Sequence, residues 1–149
     1  MTEIWFYHLQ RQRLEDVLPV LLEKALAAKM RSVVMLGSSE RVEAINNHLW
    51  THDDRSFLPH GSAKDGFAAD QPIWLTDNDE NPNGARILLL ADGARSAHVA
   101  DYQRCFELFD GNDESAVTQA RLRWKQYAEA GHEVAYWQQN AAGRWERKS

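Results

Sequence analysis

The chain has 149 residues, a formal net charge of −5, 44% apolar and 26% charged residues, one cysteine and six tryptophans. That balance fits one globular domain, 1–149, able to bury about 68–70% of the surface its unfolded chain exposes, and it excludes a disordered or disulfide-stapled chain. The acidic total argues against direct nucleic-acid binding, which draws on a basic footprint, so any DNA contact is expected to be indirect.

No stretch approaches the roughly 18 apolar residues of a membrane span. The opening "MTEIWFYHLQ" lacks the basic flank of an export signal. With the single thiol, Cys105, this suits a cytoplasmic protein away from membranes.

In chain order, "EIWFYHL" (3–9) is β-branched and aromatic, a strand. "LEDVLPVLLEKALAAK" places Leu14, Val17, Leu18, Leu21, Leu22, Ala25 and Leu26 at helical spacing, with Pro19 predicting a kink or a later start. "RSVVMLG" reads as a strand buried on both faces. "SSERVEAINNHLW" opens on capping serines and carries Val42, Ile45 and Leu49 on one stripe. The alternation predicts a parallel sheet. From Thr51 to Asp70 the period disappears, and a loop of that length is more often functional than idle. "QPIWLTD" and "ARILLLADG" are strands around an exposed, mobile turn, "NDENPNG". "DYQRCFELFDG" reads as a helix closed by Gly111, and "DESAVTQARLRWKQYAEAG" as a long helix ended by Gly131. "HEVAYWQQ" is the last strand. The expectation is an α/β fold: a single three-layer Rossmann-like domain with a mostly parallel sheet of about five strands.

Such sheets often bind nucleotides, yet the chain holds no G-x-G-x-x-G and no G-x-x-x-x-G-K-S/T. Ser38 and Ser39 at a helix start could hold an anion with His60 as a base, which is the rival reading: a small nucleotide- or phosphate-binding enzyme. His48, His52, Asp53 and His60 cluster in sequence without a zinc-motif spacing, so no metal is expected. Cys105 lies on an apolar stripe with no base identified beside it. No catalytic constellation and no cofactor site emerge, and a non-enzyme is expected.

The long helix is the unusual element, because "ARLRWKQY" gathers three cations and two large aromatics in an acidic protein. At about 100° per residue, Ala116, Ala120 and Tyr127 form a stripe suited to packing on the sheet. Val117, Arg121, Trp124 and Ala128 form its neighbour, with Lys125 at the edge. Val117 and Trp124 would wall a small pocket, Arg121 offers a planar fork for a carboxylate, and Ala128 keeps the next turn low. The matching ligand is an apolar last residue with its free carboxylate, preceded by acids. The alternative is a surface arginine stacked on Trp124. The tryptophan count favours partners too, since a flat ring with one donor suits interfaces.

These segments together resemble the chi subunit of the bacterial DNA polymerase III holoenzyme, an accessory of the clamp loader. The resemblance is carried by "FY" near the N-terminus, "LWTHDDRSFLPHG", "QPIWLTD", "LFDGNDESAVTQARLRWKQYAEAGHEVAYWQQ" and "GRWE". It implies a Rossmann-like fold without nucleotide catalysis, working as a bridge at the bacterial replication fork. One surface would bind the psi subunit. Another would bind the acidic C-terminal tail of the single-stranded-DNA-binding protein (SSB), which ends in phenylalanine. By the family pattern Arg121 and Trp124 occupy the tail site. Val117 stands where some members carry a basic residue, leaving Lys125 as the cation for the tail's acids. The psi surface falls on Trp50 and Phe57, with Leu58 and Pro59 beside them; the alternative is that Trp50 and Phe57 tuck under the loop as a satellite core. A repair helicase is a further possible partner of the family.

Overall fold

Strand β1 (Glu3–Leu9) sits near the middle of the sheet because it is apolar on both faces: Ile4, Phe6, Tyr7 and Leu9 are all buried. The structure is a computed structural model and describes residues 2–51 and 58–148. After β1 come α1 (Leu14–Ala27), β2 (Ser32–Met35), α2 (Ser39–Thr51), β3 (Ile73–Thr76), β4 (Ile87–Leu90), β5 (Arg104–Asp110), α3 (Glu114–Glu129), β6 (Glu133–Gln139) and β7 (Trp145–Arg147). The sheet order is β3-β2-β4-β5-β1-β6-β7. Every neighbouring pair is parallel except β6 with β7. Helices α1 and α2 bury Leu18, Leu22 and Ile45 against one face, and α3 buries Ala120 against the other. The α/β class and the mostly parallel sheet match the sequence expectation.

Among the described residues the sheet has seven strands where about five were expected. The larger error is β5, which the sequence presents as a helix. Tyr102, Cys105, Phe106 and Phe109 recur every three to four residues and imitate a helical stripe. In fact β5 lies between β4 and β1, with Cys105 level with Leu88 and Ile4. A strand flanked and covered on both faces buries every side chain, and Cys105 to Phe109 are all buried. The other addition, β7, is three residues long and pairs Trp145 with Gln139.

Pro19 lies inside α1 and is buried. A proline at 19 cannot donate to the Glu15 carbonyl four residues back. That carbonyl instead accepts from His48 Nε2 on α2, at 2.7 Å. The histidine weighed as a metal ligand thus satisfies the acceptor that the proline leaves open. The turn expected to be mobile is tied down. Glu80 accepts from Trp74 Nε1 at 3.0 Å and Thr76 Oγ1 at 2.6 Å, and the buried Asn83 donates to the carbonyls of Ser32 and Gln71.

Candidate partner-binding surfaces

Helix α3 is fixed at both ends by its sequence. Asp113 caps its start, accepting from the amides of Ser115 and Ala116 at 2.9 and 3.3 Å. It ends at Gly131, whose φ of +89° suits glycine, with His132 N donating to Tyr127 O and Gly131 N to Ala128 O.

The three cations of "ARLRWKQY" do not share a role. Arg123 faces inward, its side chain 7% exposed, with Nε 3.1 Å from Glu107 Oε2 on β5. The contact is ionic, since that Nε lacks the alignment of a hydrogen bond. Tyr127 completes the group by donating to the same oxygen at 2.7 Å. Burial raises the Glu107 pKa against the opposing pull of Arg123 and Tyr127. Burial, followed by the Glu107 charge, raises that of Tyr127. The spacing could have revealed Arg123, because 120, 123 and 127 lie on one helical stripe. Glu107 was hidden by the helix assigned to β5.

Arg121 and Lys125 are exposed, as is Ala128, while Val117 and Trp124 are half-buried against the second core layer. The Trp124 ring rests 5.5 Å from Phe6 and meets Tyr136 edge-on at 6.0 Å. A guanidinium does lie over an indole elsewhere, that of Arg104, 4.5 Å above Trp5. The Arg121 charge is instead felt at Tyr136 and His8. Burial raises the Tyr136 pKa and the Arg121 charge opposes it. Burial lowers that of His8, and Arg121 adds to the shift while the Gly111 backbone and Asp110 oppose it.

His8 Nδ1 is hydrogen-bonded to the Tyr136 hydroxyl at 2.5 Å, and its Nε2 is buried without a hydrogen bond. A Cβ at Gly111 would overlap the His8 ring, which explains the glycine there. His8 and Tyr136 did not figure in the sequence reading of the stripe. Their signal is the period of two: Phe6 and His8 share a face of β1, and register places Tyr136 beside Phe6. The cavities of about 680 and 210 Å³ are lined by other residues than Val117, Arg121 and Trp124.

The second surface lies at the end of α2. Trp50 is half-exposed, with its ring centroid 4.2 Å from that of His60. Leu58 is buried in the first core layer and Pro59 is half-buried, so Leu58 anchors the returning loop and offers no side chain outward. Phe57 lies outside the described residues, as do His52 and Asp53 of the histidine cluster.

The elements of the rival reading are engaged elsewhere. Ser38 Oγ accepts from the Arg41 amide at 3.2 Å, and Asp92 places a carboxylate at the same helix start, accepting from Arg41 Nε at 3.0 Å. His60 turns its ring nitrogens to the carbonyls of Leu58 and Asn46. Cys105 is fully buried and burial pushes its thiol up, away from the thiolate a nucleophile needs.

A family model described as DNA polymerase III chi subunit, HolC, matches residues 1–135. A curated relative from Rickettsia prowazekii (strain Madrid E), named probable DNA polymerase III subunit chi, is 32% identical over 110 residues. That alignment spans 72% of this chain and 67% of the relative.

Proposed function

Since the chain belongs to the DNA polymerase III chi-subunit family, an accessory family of the replisome, we propose that it is a non-catalytic adaptor joining the clamp loader, through psi, to the C-terminal tail of SSB. The observation that carries the tail site is the division of labour on α3. Trp124 is rooted on Phe6 and Tyr136 while Arg121 and Lys125 stay exposed on the same helix. A fixed apolar surface beside two cations matches a terminal phenylalanine, its carboxylate and the acids before it. In this reading the phenyl ring packs between Val117 and Trp124 above the low Ala128. Arg121 grips the terminal carboxylate and Lys125 attracts the acids, raising the on-rate. The contact is small and partly exposed, so affinity is expected in the micromolar range and sensitive to salt. A weak link of that kind can exchange as the fork advances in the cytoplasm.

Psi is assigned to the Trp50 surface with Pro59, Leu58 being buried beneath, and Phe57, outside the described residues, is proposed as a further psi contact from the family pattern. Half-exposure of a large indole at a helix end supports it, because buried aromatic anchors dominate interface energies. A repair helicase using the same surface would compete with psi.

The test is titration of a labelled tail peptide. Arg121→Ala should weaken binding by roughly 1–3 kcal/mol, and Lys125→Ala by less. Equal affinity in Arg121→Ala and the unaltered protein would remove this site. For psi, Trp50→Ala should abolish co-purification while sparing the tail; retention of psi would overturn that assignment.

A further inference from the structure

A crevice of about 680 Å³ opens at the carboxyl ends of β1 and β5. Its position follows from topology. The chain leaves β1 for α1 on one face of the sheet and leaves the adjacent β5 for α3 on the other. Open α/β sheets bind ligands at such a switch point. The volume is that of a small-molecule site. Between β4 and β5 the described helical structure is the single 3-10 turn Val99–Asp101, so no long helix closes this side.

The wall carries five arginines and four carboxylates, but the carboxylates are committed. Glu15 and Asp92 both bind Arg41, at 3.2 and 3.0 Å. Asp113 caps α3, and Asp110 accepts from the Asn112 amide at 2.9 Å. Arg13 reaches Glu15 only at 3.8 Å. The wall therefore carries one more arginine than carboxylates, and Arg11 and Arg95 line it with no ion pair of their own among the described residues, while Arg123 lines it with its ion-pair partner on the far side. Arg95 Nη2 donates to a neutral partner, Gln126 Oε1, at 2.9 Å. Arg123 is more than nine-tenths buried, and its Nε has no hydrogen bond. Its counter-charge, Glu107, stands behind the wall and does not line the crevice.

We propose that this crevice binds a phosphate ester of mononucleotide size, with Arg123 and Arg95 receiving the phosphate and Arg11 guarding the mouth. A guanidinium matches phosphate geometry with paired donors. Both adjacent helix starts are occupied, α3 by the Asp113 carboxylate and α1 by that of Asp16, which accepts from the Arg13 amide at 3.1 Å. Recognition therefore falls to side chains, not backbone amides, and needs no glycine-rich loop. Leu14 and Phe109 supply the apolar part of the wall.

Titration of the whole protein with deoxyadenosine monophosphate, followed by amide chemical shifts, tests this. Saturable shifts are expected at Gly93, Asn112 and Ala116, with no matching response to deoxyadenosine. Arg95→Gln should weaken the Kd roughly tenfold or more, and Arg123→Met should do the same. If Arg123→Met fails to fold, Arg95→Gln with Arg11→Gln decides. No saturable shift up to about 10 mM nucleotide would overturn the proposal. So would equal shifts with deoxyadenosine, or an unchanged Kd in Arg95→Gln. Inorganic phosphate binding as tightly as the nucleotide would overturn a ligand of that size. The acidic tail peptide moving these amides while the nucleotide does not would overturn it as well.

Discussion

Arg121 and Arg123 stand two residues apart on α3 and occupy different media. Arg123 is buried against Glu107 and Tyr127, while Arg121 is exposed and its charge acts on Tyr136 and His8. Two residues turn a helix by about 200°, so one sequence motif feeds the core and the surface at once. The charge that looked like a single basic patch is therefore two devices. A buried cation is an obligation, because losing its partner leaves a charge in low dielectric. An exposed cation carries no such obligation and is available to a ligand.

The comparison breaks most readily at Arg123. Arg123→Ala should cost about 3–5 kcal/mol in denaturant unfolding, since Glu107 is left buried and unpaired. Adding Glu107→Gln should recover much of that loss. A cost near zero for the single change would mean the pair is solvated and the two arginines alike. Trp124→Ala comes next, at about 2–3 kcal/mol, because a half-buried indole on Phe6 and Tyr136 takes packing with it. That variant therefore confounds stability with binding, because the indole is seated on the core.

How much of this was legible depended on which period each segment displays. Strands β1, β2, β3, β4 and β6 and all three helices announce themselves by apolar runs or by 3.6-residue stripes. β5 did not, because Tyr102, Cys105, Phe106 and Phe109 satisfy the helical template while a central strand buries both faces and erases alternation. With β5 misread, Glu107 had no place in the core and Arg123 no partner. The stripe Val117–Arg121–Trp124 was readable from spacing, whereas the floor beneath it required the register of β1 with β6, a long-range fact. His48 was visible as a histidine, but its role follows from a proline twenty-nine positions earlier in the chain and one helix away.

Alkaline titration sharpens the buried side of the comparison. The folded-state pKa of Tyr127 is raised by burial and by Glu107, so the native protein holds that proton when the unfolded chain releases it. The native state then binds more protons than the unfolded one, and stability falls as pH rises above about 10, where free tyrosines ionise. Tyr7 and Tyr102, each pushed up to about 12, fall in the same direction over pH 10–12. Tyr127→Phe should cost about 1 kcal/mol at neutral pH through the lost hydrogen bond to Glu107, and should flatten the decline above pH 10. An unchanged slope would place the Tyr127 hydroxyl in water.

The smallest expected effect is the most informative for function. Arg121→Ala should change unfolding stability by no more than about 0.5 kcal/mol, because the side chain is exposed and holds up no buried partner. It removes a positive charge near His8, which lowers the histidine's pKa, so the His8 titration should move upward in the variant. That shift, read from its ring proton resonances, reports the position of the guanidinium in the free protein with no partner added. If His8 titrates identically with and without Arg121, the guanidinium extends away from Tyr136. The proposed carboxylate grip would then lose its base beside the indole, even though the stability result stood.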